Sequence, residues 1–345
     1  MPSLVVNSDG VELYYYDSGV PKTTESTAPY MTLFVVHGLG FNGRLYKRVQ
    51  ALGLEAGLRI VAINRRGYAP STPFAPADLA VLATGGTEEV KEAFLTARGI
   101  EVANFIDAFI LQHDIPPISE DGKGGGVGLL GWSAGNTVTL SAIANLDKLP
   151  SEVQSRLARY LRALIIDEPP SMAIGFPLTE GCWLSFPDPT IPDREKNLFH
   201  CSWATAYFNH GDLSKRDPKL LSLAAPSLFR RPTIYSMTME DIAELIDDSV
   251  FEGPNLFLSM PQHLVAFRKA CLDRATRAGV PKMRVWAVVG DSTLSTCILA
   301  WWTMQDEDAA HGGGFVNFKM TEGVNHLIHW DDPSKALAIY LEAMV

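Results

Sequence analysis

Short apolar runs alternate with longer amphipathic stretches along most of this 345-residue chain. An apolar run of about four to eight residues between turn residues reads as a buried strand; apolar positions recurring every three to four residues read as a helix. Val5–Val6 and Val11–Tyr16 flank Asp9-Gly10 and predict an antiparallel hairpin at the edge of a sheet. Thr32–Val36, Arg59–Ile63, Gly126–Leu130, Ala163–Ile166, Arg284–Val289 and Phe315–Met320 predict further strands. Leu45–Leu54 and Asn136–Leu146 predict helices, and Glu88–His113 predicts one long helix broken near Gly99. In the tail, Pro333–Met344, the residues Ala336, Leu337, Ile339, Tyr340 and Ala343 share one face, as a closing amphipathic helix requires. Strands alternating with helices predict an α/β fold, a mostly parallel sheet covered by helices.

The rhythm stops between about 169 and 260. That stretch carries Phe176-Pro177, Trp183, Phe186-Pro187, Asp188-Pro189, Trp203, Tyr207, Phe208 and Phe229. It predicts an irregular helical insertion at 169–260, with 1–168 and 261–345 forming one core domain. Gly124-Gly125-Gly126 and Gly312-Gly313-Gly314 each precede a strand, whereas phosphate-binding loops follow one, so both runs read as loop punctuation.

Composition narrows the function classes. Hydrophobic residues make up 47% and charged residues 20% of the chain, an ordinary globular balance. A net charge of −10 offers nothing to neutralise phosphates, so neither a nucleic-acid partner nor a membrane surface is expected. Met1–Gly10 has no basic region followed by an apolar core, and no apolar run approaches the roughly 20 residues that span a bilayer. The four cysteines, Cys182, Cys201, Cys271 and Cys297, lack metal-ligand spacing. Cytoplasmic residence with reduced thiols is the expectation, with no metal and no cofactor; a Cys182–Cys201 pair would be the alternative in an exported protein.

The densest chemical signal is Gly131-Trp132-Ser133-Ala134-Gly135, which follows a strand and opens a helix. Glycines two residues either side of a serine permit a turn too tight for β-carbons, and the turn lifts the hydroxyl above the sheet as a nucleophile. Such a serine needs a base. Of eight histidines, His326 follows the last strand and a short loop; His329, one turn on, reads as a packing or capping residue. His113, His200, His210, His263 and His311 read as surface or packing residues. An acid that accepts the other imidazole N–H comes from Asp291, at the end of Val285–Gly290, or from Glu168, at the end of the preceding strand. The order serine, aspartate, histidine along successive strand ends favours Asp291. Backbone N–H groups of Ala134 and Leu39 are the candidates for holding an oxyanion, with Gly38 and Gly40 allowing close approach and His37 fastening the loop. Trp132, Met172, Trp183, Phe186, Trp203 and Tyr207 are the candidate walls of an apolar substrate pocket.

His37-Gly38-Leu39-Gly40, Asn64-Arg65-Arg66-Gly67-Tyr68-Ala69-Pro70-Ser71, residues 131–135, Val289-Gly290-Asp291 and Asn325-His326 together resemble the motifs of the α/β-hydrolase fold, in family order and over nearly the whole chain. The resemblance implies an eight-stranded, mostly parallel sheet with helices on both faces, a cap at the insertion, and Ser133, Asp291 and His326 as triad. A serine where epoxide hydrolases and haloalkane dehalogenases carry aspartate argues against those activities. Asn136 departs from the family, standing where a further glycine is common, and His37–Gly40 lacks the longer glycine run of many lipases. The expectation is a cofactor-independent hydrolase of small to medium hydrophobic esters or lactones. The same triad used for C–C hydrolysis, lyase or acyl-transfer chemistry, and a non-catalytic small-molecule receptor, are the alternatives.

Overall fold

The computed structural model describes residues 2–22, 29–82, 86–247 and 261–345. Its strands are β1 (Ser3–Val5), β2 (Glu12–Asp17), β3 (Met31–Val36), β4 (Leu58–Ile63), β5 (Val127–Trp132), β6 (Leu161–Asp167), β7 (Arg284–Gly290) and β8 (Val316–Thr321). They form one sheet in the order β1-β2-β4-β3-β5-β6-β7-β8. The β1–β2 and β2–β4 pairs are antiparallel, and every pair from β4 to β8 is parallel. Every residue of β3, β4, β5 and β6 is buried, as strands covered on both faces must be.

Alternation along these strands divides the core into two layers. Phe34, Val36, Leu129, Leu164 and Ile166 face one layer, where Phe105 and Phe109 of the long helix Glu88–Gln112 also pack. Leu33, Val35, Leu130, Trp132 and Ile165 face the other, with Val49 of the helix Lys47–Glu55 and Ile339 and Tyr340 of the C-terminal helix. The helices are α1 (Lys47–Glu55), α2 (Pro76–Leu82), α3 (Glu88–Gln112), α4 (Gly135–Ala144), α5 (Ser151–Tyr160), α6 (Lys196–Ala204), α7 (Met239–Leu245), α8 (Gln262–Cys271), α9 (Arg274–Gly279), α10 (Ser295–Ala310), α11 (Ile328–Asp331) and α12 (Pro333–Met344). α4 is buried on every side, beneath α3 and α8.

The break expected near Gly99 is absent, since α3 runs through it. A Cβ at Gly99 would lie 2.5 Å from the Ser141 carbonyl carbon, so the glycine marks the closest approach of α3 to α4. Between β6 and β7 the described residues add no strand to the sheet; helices α6 to α9 and short 3-10 turns make up the connection. The expected insertion boundary at 260 falls in 248–260, outside the described residues. All four cysteines are free. Among the described residues, no helix is long and apolar enough to cross a membrane.

Candidate active site

Ser133 follows the last residue of β5 with φ of 53°, in the left-handed region. A non-glycine residue there costs on the order of 1–2 kcal/mol, so surrounding contacts must hold it. The Ser133 N–H donates to the Asp167 carbonyl at 2.9 Å, and the Asn136 side-chain amide donates to both the Ser133 and Asp167 carbonyls, at 2.9 and 3.0 Å. Asn136, in the place of a common glycine, therefore ties the turn to the end of β6. The flanking glycines are sterically required: a Cβ on Gly135 would sit 2.2 Å from the Val36 carbonyl oxygen, and one on Gly131 would sit 2.4 Å from the Thr139 hydroxyl.

His326 lies in the loop after β8. Trp132 fastens it from below, its indole N–H donating to the His326 carbonyl at 2.8 Å. Asn325 fastens it from the side, its amide donating to the Thr205 carbonyl and the Thr233 hydroxyl. The acid against the imidazole is Glu168: its Oε2 lies 3.2 Å from His326 Nδ1. Among the described residues Asp291, the acid favoured in the sequence, makes no such contact. Asp291 turns its carboxylate away, accepting the Gly323 N–H at 2.8 Å and the Ser292 hydroxyl at 3.0 Å, and so braces the loop after β8. Glu168 sits one residue beyond β6 with φ of 50°, and its carboxylate reaches across the end of β7 to accept the Gly290 N–H and the Thr293 hydroxyl, each at 2.5 Å.

Burial shapes the proton chemistry of this pair. It pushes Glu168 up to about 8, against the donations from Thr293, Gly290 and Cys297. It pushes His326 down to about 3, keeping the imidazole neutral. Glu168, Cys297 and His326 each offer a ligand atom within 4.8 Å of the others, the one such cluster among the described residues. Two of those groups already face each other, so the hydrogen-bonded pair is the simpler reading of the cluster.

His329 stays out of the site. It is fully buried, stacks on Tyr46 at 4.7 Å and meets the edge of Trp132 at 5.0 Å. Burial takes it down to about 3, and among the described residues neither ring nitrogen has a hydrogen-bond partner.

The loop after β3 supplies the opposite wall. His37 Nδ1 donates to the Gly38 carbonyl at 2.9 Å and its Nε2 accepts the Arg65 N–H at 3.0 Å, which fixes its tautomer. The Arg65 guanidinium donates to the His37 and Gly38 carbonyls. A Cβ on Gly38 would lie 2.8 Å from the Ser133 Cβ, so only glycine lets this loop rest on the serine turn. No backbone bond takes up the Leu39 or Ala134 N–H among the described residues.

Ser133, His326, Leu39 and Ala134 border one cavity of about 50 Å³, closed by Pro170, Met172, Leu184, Ser185, Phe186, His200, Trp203, Leu294 and Thr296. Of the expected pocket residues, Met172, Phe186 and Trp203 are in its wall. Trp132 is not: at the end of β5 its ring faces the opposite layer, beneath His326. Trp183 borders a separate groove with Phe199 and Tyr235, its indole N–H bound to Asp188. Tyr207 donates to the Asp331 carboxylate at 2.6 Å, under the Arg230 guanidinium. Ser185, His200 and Thr293 were not among the sequence candidates. Their contributions depend on how the insertion and the loop after β7 turn, which leaves no periodic signal.

The chain belongs to the alpha/beta hydrolase family, whose sequence profile matches residues 33–338. No curated protein sequence matches it. Solved structures with the same fold include Est816, described as an N-acyl homoserine lactone degrading enzyme, at 15% identity over 98% of both chains with a TM-score of 0.51. A bromoperoxidase from Bacillus anthracis is similar at 14% identity over 99% of both chains with a TM-score of 0.53. A thioesterase domain from the curacin biosynthetic pathway is similar at 15% identity over 99% of both chains with a TM-score of 0.52. At these identities the likeness is one of fold.

Proposed function

We propose that the protein is a serine hydrolase of small, largely apolar carboxylic esters or lactones, with Ser133 as nucleophile, His326 as base and Glu168 as the acid of the triad. The observation that carries this reading is the Glu168–His326 contact behind a cavity that Ser133 and His326 share. With Nδ1–H donated to Glu168, His326 presents its other nitrogen as the base. It takes the Ser133 proton as Oγ attacks the carbonyl carbon, and the Leu39 and Ala134 N–H groups receive the oxyanion, a term of about 3 kcal/mol per donor. His326 then gives that proton to the departing alcohol oxygen, or to the ring-opened hydroxyl of a lactone. Water, deprotonated by His326, then attacks the acyl-enzyme, and His326 returns that proton to Ser133 Oγ as the carboxylic acid leaves.

The cavity supports the substrate class. Leu39, Met172, Leu184, Phe186, Trp203 and Leu294 make its wall mostly apolar, and about 50 Å³ suits a short acyl chain better than a long one. The segment after β6, which supplies Met172 to Trp203, acts as the cap. The test is incubation with a fluorophosphonate followed by peptide mass spectrometry. Ser133 is expected to carry the phosphonyl group, and Ser133→Ala to abolish both labelling and turnover of nitrophenyl acetate. An unlabelled Ser133 in folded protein overturns the reading.

A further inference from the structure

The cavity has a second polar pole, on the cap and apart from the triad. Ser185 is fully buried, and its hydroxyl lies 2.9 Å from His200 Nδ1. Both residues border the cavity that Ser133 and His326 share. The Ser185 hydroxyl has no other hydrogen-bond partner among the described residues. Where the Ser185 hydroxyl donates to Nδ1, that nitrogen carries no proton and the ring's proton is on Nε2. The His200 ring makes no other hydrogen bond among the described residues, so Nε2–H is the donor left for a molecule in the cavity. The ring is held in place by Phe186, 4.5 Å away, and by Trp203, 6.3 Å away. Burial, with the nearby His326 adding to it, pushes His200 down to about 3, so it acts as an uncharged donor.

We propose that His200, oriented by Ser185, determines specificity by donating a hydrogen bond from Nε2 to an uncharged oxygen acceptor of the substrate, such as an ether, ketone or second ester oxygen, on the cap side of the scissile carbonyl. The proposal rests on Ser133 being the nucleophile, and it narrows the substrate class from apolar esters to those with a second acceptor. An apolar wall interrupted by one fixed donor discriminates strongly, because leaving that donor unpaired in a filled cavity is costly.

The test compares labelling rates at Ser133 for two fluorophosphonates of equal length, one with an alkyl tail and one with an ether oxygen in the tail. Wild-type protein is expected to react about tenfold or more faster with the ether probe. His200→Leu is expected to bring the ratio near one. His200→Gln, which keeps a donor, should retain part of the preference, and Ser185→Ala, which releases the tautomer, should lower it. These two variants keep the question open to measurement should His200→Leu fail to fold. Labelling of Ser133 without preference in wild type, or a preference that survives His200→Leu, overturns the role of His200. Absence of label at Ser133 from both probes instead overturns the triad reading on which it rests.

Discussion

At the strand ends of the sheet, the turns that carry Ser133 and Glu168 are tied to the neighbouring strands. Ser133 is pinned by its own N–H and by Asn136 to the end of β6, and Glu168 is pinned to the end of β7 by the Gly290 N–H. The segment above them is built differently, from short helices and 3-10 turns. Side chains and backbone both join it to the core: Asn325 bonds Thr205 and Thr233, Asp331 accepts from Tyr207 and Thr233, and the Phe208 N–H donates to the Ser292 carbonyl. The difference separates two tasks. On the proposed reading, chemistry rests on turns where Gly38, Gly131 and Gly135 leave no room for a Cβ, and choice of substrate rests on the side chains that close the cavity.

Changes to the strand ends are therefore expected to act on rate and those to the cap on selectivity. One large effect comes from pH. Activity needs the Glu168–His326 pair with one proton fewer than it holds when Glu168 is neutral, and the pair titrates as a unit. With Glu168 raised to about 8, kcat/KM is expected to fall about tenfold per pH unit below a midpoint higher than the ordinary histidine value of 6.5. A pH–rate profile with its midpoint at or below 6.5 would break that link between burial and rate.

The same shift has a stability consequence. Below its ordinary value of 4.5 a carboxyl is protonated in the folded and the unfolded chain alike; between 4.5 and about 8 only the folded chain keeps the Glu168 proton. Stability from this group is present below 4.5 and is lost as pH rises through about 8. Glu168→Gln should remove that part of the slope, seen as a smaller loss of Tm between pH 5 and 9 than in wild type.

The smallest effect belongs to the link between cap and core. Tyr207→Phe removes one partly exposed hydrogen bond to Asp331, worth about 0.5–1 kcal/mol. A fall in Tm of about 1–3 °C, with the Ser133 labelling rate unchanged, is expected from thermal melts and labelling kinetics. A large loss of labelling would mean that the cap is coupled to the nucleophile more tightly than this comparison holds.

Much of this division was legible in the amino-acid sequence. The buried runs of β3 to β7 stand out because strands covered on both faces are apolar at nearly every position. Ser133 stands out because its turn demands Gly131 and Gly135. The acid did not stand out. β6 and β7 both end beside a carboxylate, and the choice depends on Glu168 occupying a left-handed conformation that no residue pattern announces. Gly99 looked like a helix break because a glycine at a close helix crossing and one at a helix end are the same letter. Trp132 looked like a pocket residue because it adjoins Ser133, but successive strand residues face opposite layers. Ser185 and His200 lie in a region without periodicity, where no residue pattern tells which side chains face the cavity.

The central claim is that Glu168, and not Asp291, completes the triad, and parallel kcat/KM measurements on Glu168→Gln and Asp291→Asn test it most directly. Glu168→Gln is predicted to lower kcat/KM by about 10²–10⁴-fold, and Asp291→Asn to stay within about threefold of wild type. A large loss in Asp291→Asn beside near-normal turnover in Glu168→Gln would contradict the account.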